Sequence, residues 1–224
     1  MNVAARGFSR RLADSLQAPD GREDPLQLLD SMVEMLNRTD SFMAGHSQRV
    51  SDLSASIARL AKFSSTDVEF VRRAGLVHDI GKVSIPEKVL RKSEPLTPDE
   101  MHLIKLHPIF GASLLSRLPG MDSLVPVVLH HHERWDGAGY PGGLSMTDIP
   151  KEARVIAVAD AFDAMTSYRP YGEVLSPEEA LNELRRCSGS QFDPLLVDAM
   201  HEAFLYGLLD RKTSVIYPRV EHKV

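Results

Sequence analysis

The helical spacing of the apolar residues constrains the fold of this chain more than any other feature of the sequence. From Asp24 onward, apolar side chains recur three or four residues apart, as in the stripe formed by Val50, Leu53 and Ile57. The run "VIAVA" taken alone could be a buried strand, but the alanines that continue it favour a helix. The sequence has roughly eight such segments and no convincing pair of strands, and it therefore predicts an all-α bundle.

The composition is that of one ordinary soluble domain, since 43% of the 224 residues are apolar and 25% are charged. We assign residues 24–210 to this domain, residues 1–23 to a flexible N-terminal extension and residues 211–224 to a C-terminal tail. The extension lacks the apolar segment of a signal peptide, and no apolar run approaches the ~20 residues that cross a membrane. Because the single cysteine, Cys187, can form no internal disulfide, a cytoplasmic location is the simplest expectation.

The net charge of −5 argues against DNA as a partner, because nucleic-acid-binding proteins usually carry a basic surface that neutralises phosphates. An anionic substrate would therefore need a local positive site on this chain. We expect neither DNA nor a membrane among its partners.

Local start and stop signals place the ends of several helices. Thr66 with Glu69, and Thr97 with Glu100, each have the spacing of a capping box, which marks the first turn of a helix. Gly81, in "LVHDIGK", is a natural helix terminator. We therefore expect one helix to run from the first box to this glycine, and another to follow the second box.

A set of histidines and aspartates lies on inward faces or at the ends of these helices. Each residue taken singly is more often a satisfied core residue than a ligand, but several together in one bundle would be costly unless they bind cations. Nitrogen and oxygen donors without sulfur favour Fe, Mn, Ni, Co, Zn or Mg over a thiolate zinc site. The set comprises His46, His78, Asp79, His107, His130, His131, His132 and Asp160.

Asp79 is the residue that indicates the chemistry. A carboxylate can bridge two metal ions about 3.5–4 Å apart, and such a pair generates hydroxide near neutral pH and stabilises both oxygens of an in-line displacement at phosphorus. This combination predicts hydrolysis of a phosphoester. Lys82 follows three residues later, where its ammonium group could meet a phosphate oxygen or could merely complement the helix C-terminus.

Five motifs in a fixed order resemble the HD-GYP subgroup of the HD-domain phosphohydrolases. They are "GHSQRV", "HDIGK", "HPIFG", "HHERWDGAGYP" and "ADAFDAMTSYRPY", and the resemblance covers residues 26–205. It implies an HD-type helical bundle with two or three metal ions in its core, often iron or manganese. It also implies hydrolysis of cyclic di-GMP to pGpG or GMP by a metal-bridging hydroxide.

The resemblance assigns a role to each matching residue. Asp79 would bridge the metals and, with Lys82, carry the catalysis, while Lys82, Tyr140 and Arg169 would bind substrate. His130 lies outside the pattern. The adjacent residues His131 and His132 can both reach metals only if the helix ends at this point. The expected metal ligands are His46, His78, Asp79, His107, His131, His132 and Asp160.

Two positions depart from the pattern of this subgroup. Phe42 stands four residues before His46, where three-metal members carry a glutamate, so we expect two divalent metal ions. Gly172 replaces a lysine or arginine that many members have after "RPY", which removes one expected phosphate contact. Neither change touches the residues expected to hold two metals.

Three functions remain open from the sequence. The first is a cyclic di-GMP phosphodiesterase, and the second is a hydrolase of another cyclic dinucleotide or nucleotide phosphate. The third is a catalytically weak signalling module that binds nucleotide or a cyclase partner. Loss of a core ligand would favour the third, and no core ligand is lost. A cyclase-domain protein and a second copy of the chain, in a homodimer, are the protein partners to consider.

Overall fold

A computed structural model describes most of the chain and defines its fold. The described residues are 31, 33–34, 45–92, 94–167 and 174–208. Several sequence predictions lie outside them, namely those on the N-terminal extension, Phe42, Arg169, Gly172 and the C-terminal tail.

The described part of the chain folds into α-helices that are joined by short loops and 3₁₀ turns. The prediction of an all-α fold is therefore confirmed, and the only strand-like pairing among the described residues is one isolated bridge between Ser188 and Phe192. None of the described helices has the length and apolar character needed to cross a membrane. The helices are α1 (His46–Leu60), α2 (Ser65–Val77), α3 (Glu87–Leu90), α4 (Pro98–Ile104), α5 (His107–Leu115), α6 (Val125–His130), α7 (Lys151–Thr166), α8 (Pro177–Arg186) and α9 (Pro194–Leu205).

Helix α1 contacts α2, α7 and α9 in the bundle. Its predicted stripe of Val50, Leu53 and Ile57 is buried in the hydrophobic core, as expected for the inward face of a helix. Contact between α1 and α2 is close because Gly75 has no side chain, and a Cβ there would lie 2.8 Å from Ser51 Cα. The run "VIAVA" lies within α7 and is helical, as predicted.

The two predicted capping boxes have different outcomes. Thr97 and Glu100 form the expected box at the start of α4, with both reciprocal hydrogen bonds present. The prediction for Thr66 and Glu69 is wrong, because Ser64 caps α2 and accepts a hydrogen bond from Asp67 N. Ser64 is in the extended conformation that suits an N-cap, whereas Thr66 already lies inside the first turn.

Gly81 does not terminate α2, so that prediction is also wrong. Helix α2 ends at Val77, and Gly81 is a buried residue of a 3₁₀ turn, Ile80–Ser84. A Cβ on Gly81 would lie only 1.9 Å from His107 O, so the glycine allows this turn to press against the start of α5. This close approach brings Asp79 next to His107.

Candidate metal centre

The ends of several helices converge on one buried cluster of histidine and aspartate side chains. His46 is the first residue of α1, His78 and Asp79 directly follow α2, and His107 is the first residue of α5. His131 and His132 directly follow α6, which ends at His130, so the predicted helix end before these two residues is confirmed. Asp160 comes from the middle of α7. The structure thus brings together all seven residues that the sequence nominated as metal ligands.

Asp79 lies at the centre of the cluster, with its two carboxylate oxygens facing different histidines. Asp79 Oδ1 is 3.1 Å from His107 Nε2. The other oxygen, Oδ2, is 3.6 Å from His46 Nε2 and 3.4 Å from His78 Nε2. The two oxygens of Asp79 therefore face opposite sides of the cluster.

The donor atoms form two groups that share Asp79. We call them the His46 group, which contains His46, His78 and Asp79, and the His107 group, which contains Asp79, His107, His131 and His132. Within each group the donor atoms lie within 4.8 Å of one another. Asp160 adjoins the His46 group, since its Oδ1 is 3.4 Å from His46 Nε2 and 3.9 Å from His78 Nε2.

Three of the histidine rings are oriented by backbone carbonyls in the last turns of helices. A carbonyl oxygen only accepts hydrogen bonds, so Nδ1 donates in each ring and Nε2 is the nitrogen that faces the cluster. The Nδ1 contacts are 2.8 Å from His78 to Gly75 O, 2.8 Å from His107 to Ile104 O and 2.7 Å from His131 to Val128 O.

Two details of these nitrogen atoms fit a bound cation. His78 Nε2 is fully buried and has no hydrogen-bond partner among the described residues. His107 Nε2 and His131 Nε2 lie 3.2 Å apart, close enough for one cation to contact both nitrogens. Buried polar atoms in such positions are costly without a partner, and the cluster is able to hold divalent metal ions.

Two rings of the His107 group are held neutral by their surroundings. Burial, followed by the charge of neighbouring imidazoles, lowers the pKa of His131 well below its usual value. The same two causes lower the pKa of His132 to about 3. Both rings are therefore unprotonated near neutral pH, as metal ligands must be.

His46 has a different environment, which sequence reasoning missed. Its Nδ1 lies 2.7 Å from Oδ2 of the buried Asp163, and Arg49 contacts the same carboxylate. Burial lowers the pKa of His46, but Asp163, Asp79 and Asp160 outweigh that effect and raise it to about 9. The available signal was spacing, because Asp163 follows Asp160 by three residues and Arg49 follows His46 by three.

Lys82 contacts the central carboxylate directly. Its Nζ lies 2.6 Å from Asp79 Oδ2, and its side chain is 20% exposed against 2% for Asp79. Burial raises the pKa of Asp79, but the charge of Lys82 and the neighbouring histidines hold it well below its usual value. The ammonium group therefore lies between the buried cluster and the surface.

The loop after α6 covers one side of the cluster. Tyr140 stacks on His132 with ring centroids 5.0 Å apart, and Lys105 Nζ lies 5.4 Å from the Tyr140 ring centroid. Burial raises the pKa of Tyr140, so the phenol stays protonated. His130 turns away from the cluster and contacts Glu133 Oε1 at 3.1 Å, which agrees with its place outside the predicted ligand set.

Comparison with known proteins connects this site to a family. A sequence model of the HD domain matches residues 30–196. A cyclic di-GMP phosphodiesterase of Thermotoga maritima is 41% identical over 197 residues, which cover 85% of this chain and 52% of that protein. A 3′3′-cGAMP-specific phosphodiesterase of Vibrio cholerae is 31% identical over 185 residues, covering 82% of this chain and 35% of that protein. The chain thus spans about half, or less, of the length of these relatives.

A solved structure supports the same grouping at the level of the fold. The crystal structure of a cyclic GMP-AMP specific phosphodiesterase of Vibrio cholerae superimposes with a TM-score of 0.63. Its sequence identity is 20%, and the match covers 83% of this chain and 51% of that chain. The match of the family sequence model over most of the chain, together with this fold, shows that the chain belongs to the HD-domain family.

Proposed function

We propose that this chain is an HD-GYP phosphodiesterase domain that hydrolyses cyclic di-GMP to pGpG or GMP in a metal-dependent reaction. The observation that carries the proposal is the pair of donor groups that share the carboxylate of Asp79. The order of the five motifs and the names of the relatives support the choice of substrate. The proposed domain spans residues 24–210.

Two divalent ions would fit these donors, one in each group. Iron or manganese suits imidazole and carboxylate ligands, with nickel, cobalt, zinc and magnesium as alternatives. When bound, such a pair supplies a hydroxide nucleophile near neutral pH and stabilises the charge on the transferred phosphoryl group. The proposed ligands are His46, His78, Asp79, His107, His131, His132 and Asp160.

Three other side chains have proposed roles in handling the substrate. Lys82 is next to Asp79 and partly exposed, so its ammonium group can pair with a phosphate oxygen that approaches the cluster. The ring of Tyr140, stacked on His132, would form a wall against which a nucleotide packs. Arg169, outside the described residues, would hold a second phosphate oxygen through its planar guanidinium group.

A second candidate substrate is 3′3′-cGAMP, because one relative at 31% identity is named for that activity. Cyclic di-GMP and 3′3′-cGAMP differ in one purine, so the same phosphodiester chemistry would serve for both. A signalling module without turnover is a weaker proposal, since all seven ligand positions hold residues that bind metals. A cytoplasmic location, a cyclase-domain partner and a homodimer complete the proposals.

The test is hydrolysis by the purified chain, loaded anaerobically with Fe²⁺ or Mn²⁺. Cyclic di-GMP, 3′3′-cGAMP and cyclic di-AMP would be offered separately, and the products separated by chromatography. We expect pGpG or GMP from cyclic di-GMP and no turnover by an Asp79→Ala variant. Turnover of 3′3′-cGAMP alone would reassign the substrate, and no turnover of any of the three by metal-loaded protein would favour the signalling module.

A further inference from the structure

The histidines of the cluster differ in what holds their outer ring nitrogen. His78, His107 and His131 each donate from Nδ1 to a backbone carbonyl. His46 Nδ1 instead lies 2.7 Å from a carboxylate oxygen, Oδ2 of Asp163. Among the four cluster histidines whose Nδ1 contact is described, only His46 therefore depends on a side chain that a point mutation can change.

Asp163 is itself held in one orientation by Arg49. Arg49 Nε donates to Oδ1 at 2.5 Å, and Nη2 donates to Oδ2 at 3.0 Å. The same Nη2 is 3.1 Å from Ser167 Oγ, which follows directly after α7. The Asp163 side chain is 4% exposed, so the two-pronged contact fixes a buried and ionised acceptor.

Helix α7 places one carboxylate at each nitrogen of the His46 ring. Asp160 Oδ1 is 3.4 Å from Nε2 on the cluster side, and Asp163 Oδ2 is 2.7 Å from Nδ1 on the opposite side. Residues three apart on a helix share a face, which lets both carboxylates reach the same ring. Asp163 therefore contacts a proposed ligand without belonging to either donor group.

We propose that Asp163, held by Arg49, is a positioning residue that sets the metal affinity of the His46 group independently of the His107 group. A carboxylate that accepts from the outer nitrogen fixes the ring and makes the inner nitrogen a stronger donor. In the His107 group, the rings of His107 and His131 are held by backbone carbonyls instead. This inference rests on the proposed function, which requires a metal in each group.

The experiment removes the negative charge of Asp163 and leaves its shape. Wild-type protein and Asp163→Asn would be loaded with Co²⁺, challenged with graded chelator, and assayed for metal per chain by elemental analysis. In the variant one equivalent should leave at about 10- to 100-fold lower chelator strength, the usual effect of losing such a partner, while the other stays as in wild type.

Asp193→Asn is the matched control. Asp193 is also buried and paired with an arginine, since its Oδ2 lies 2.7 Å from Arg154 Nη1, but it caps α9 and belongs to neither donor group. Asparagine is a good N-cap residue, so helix α9 should persist. This variant should release both equivalents at the same chelator strength as wild type.

A second variant and the Co²⁺ absorption spectrum distinguish a positioning role of Asp163 from a general destabilisation of the fold. Arg49→Lys keeps the charge but replaces the planar fork by a single donor, so it should weaken the same equivalent by a smaller factor. The absorption bands of Co²⁺ for that equivalent should shift in both variants, and those of the other should not. If Asp163→Asn does not fold, as judged by helicity, Arg49→Lys carries the test.

Equal loss of both equivalents, or unchanged release of both, would overturn the positioning role of Asp163. Failure of the proposed function gives a different result, because metal-loaded wild-type protein would then turn over none of the three cyclic dinucleotides, whatever the release of its metal shows.

Discussion

Replacing Gly81 by alanine should damage the metal centre without touching any proposed ligand. The new Cβ would lie 1.9 Å from His107 O and 2.5 Å from Gly111 N, both of them backbone atoms that cannot rotate away. The 3₁₀ turn and α5 must therefore move apart. Ordinary contact begins at 3.4 Å, so the gap must open by about 1.5 Å.

This displacement acts on both sides of the cluster. Asp79 directly precedes the 3₁₀ turn and His107 begins α5, and their Oδ1 and Nε2 atoms are now 3.1 Å apart. A misplacement of about 1 Å can lower a rate about 100-fold, and overpacking a core usually costs about 1–3 kcal/mol of stability. We therefore expect a large loss of metal affinity and turnover with a moderate loss of stability.

The assay compares Gly81→Ala with Gly120→Ala, using metal content, turnover of cyclic di-GMP and the free energy of unfolding in denaturant. Gly120 has a φ of +79° and no atom within 4 Å of its would-be Cβ, so alanine there strains only the local backbone. That control should lose about 1–2 kcal/mol of stability and keep its activity. Full metal content and turnover in Gly81→Ala would refute the argument that this close approach positions Asp79.

Four further predictions follow from the site. Asp79→Ala should abolish turnover while the helix content measured by circular dichroism is unchanged. Retained hydrolysis with full metal content would contradict the proposal that the two donor groups share the carboxylate of Asp79. The free energy of unfolding of the metal-free protein should fall as the pH rises from 6.5 to about 9, because folded His46 holds its proton over that range and the unfolded chain does not. In denaturant titrations at several pH values, His46→Gln should reduce this dependence on pH. Arg169→Lys should lower kcat/KM in steady-state assays by a factor that corresponds to about 1–3 kcal/mol of lost transition-state stabilisation. Unchanged kinetics would assign the residue to structure. Elemental analysis should find two metals per chain, and Phe42→Glu should recruit a third; three in the wild type would contradict the role given to Phe42.

Local signals predicted the all-α fold and the end of α6, because those signals act within a few residues. The box at Thr97 and Glu100 needs only neighbouring atoms, and it was found where expected. The end of α6 before His131 was inferred because adjacent ligands cannot share one helical face, and α6 does end at His130. In both cases the physical cause lies in the sequence itself.

The prediction for Gly81 failed because a distant contact decides the outcome. Gly81 has the same local pattern whether it ends a helix or allows another backbone to approach, and only the position of His107 O distinguishes the two. Asp163 was missed for a related reason. Its spacing from Asp160 predicts a shared face of α7, but nothing local indicates that α1 lies across from that face.

The same distinction explains why His46 needs help from another helix. Carbonyls in the last turn of a helix have no partner further along that helix, and His78, His107 and His131 each follow such a turn and bond to one of its carbonyls. His46 is the first residue of α1, where the unpaired backbone groups are N–H donors. A donor cannot accept from Nδ1–H, so an acceptor must come from elsewhere, and α7 supplies it as Asp163. A ligand whose outer nitrogen is held by a side chain of another helix, as in His46, should thus be more sensitive to mutation of that helix than a ligand held by the carbonyl of a preceding turn.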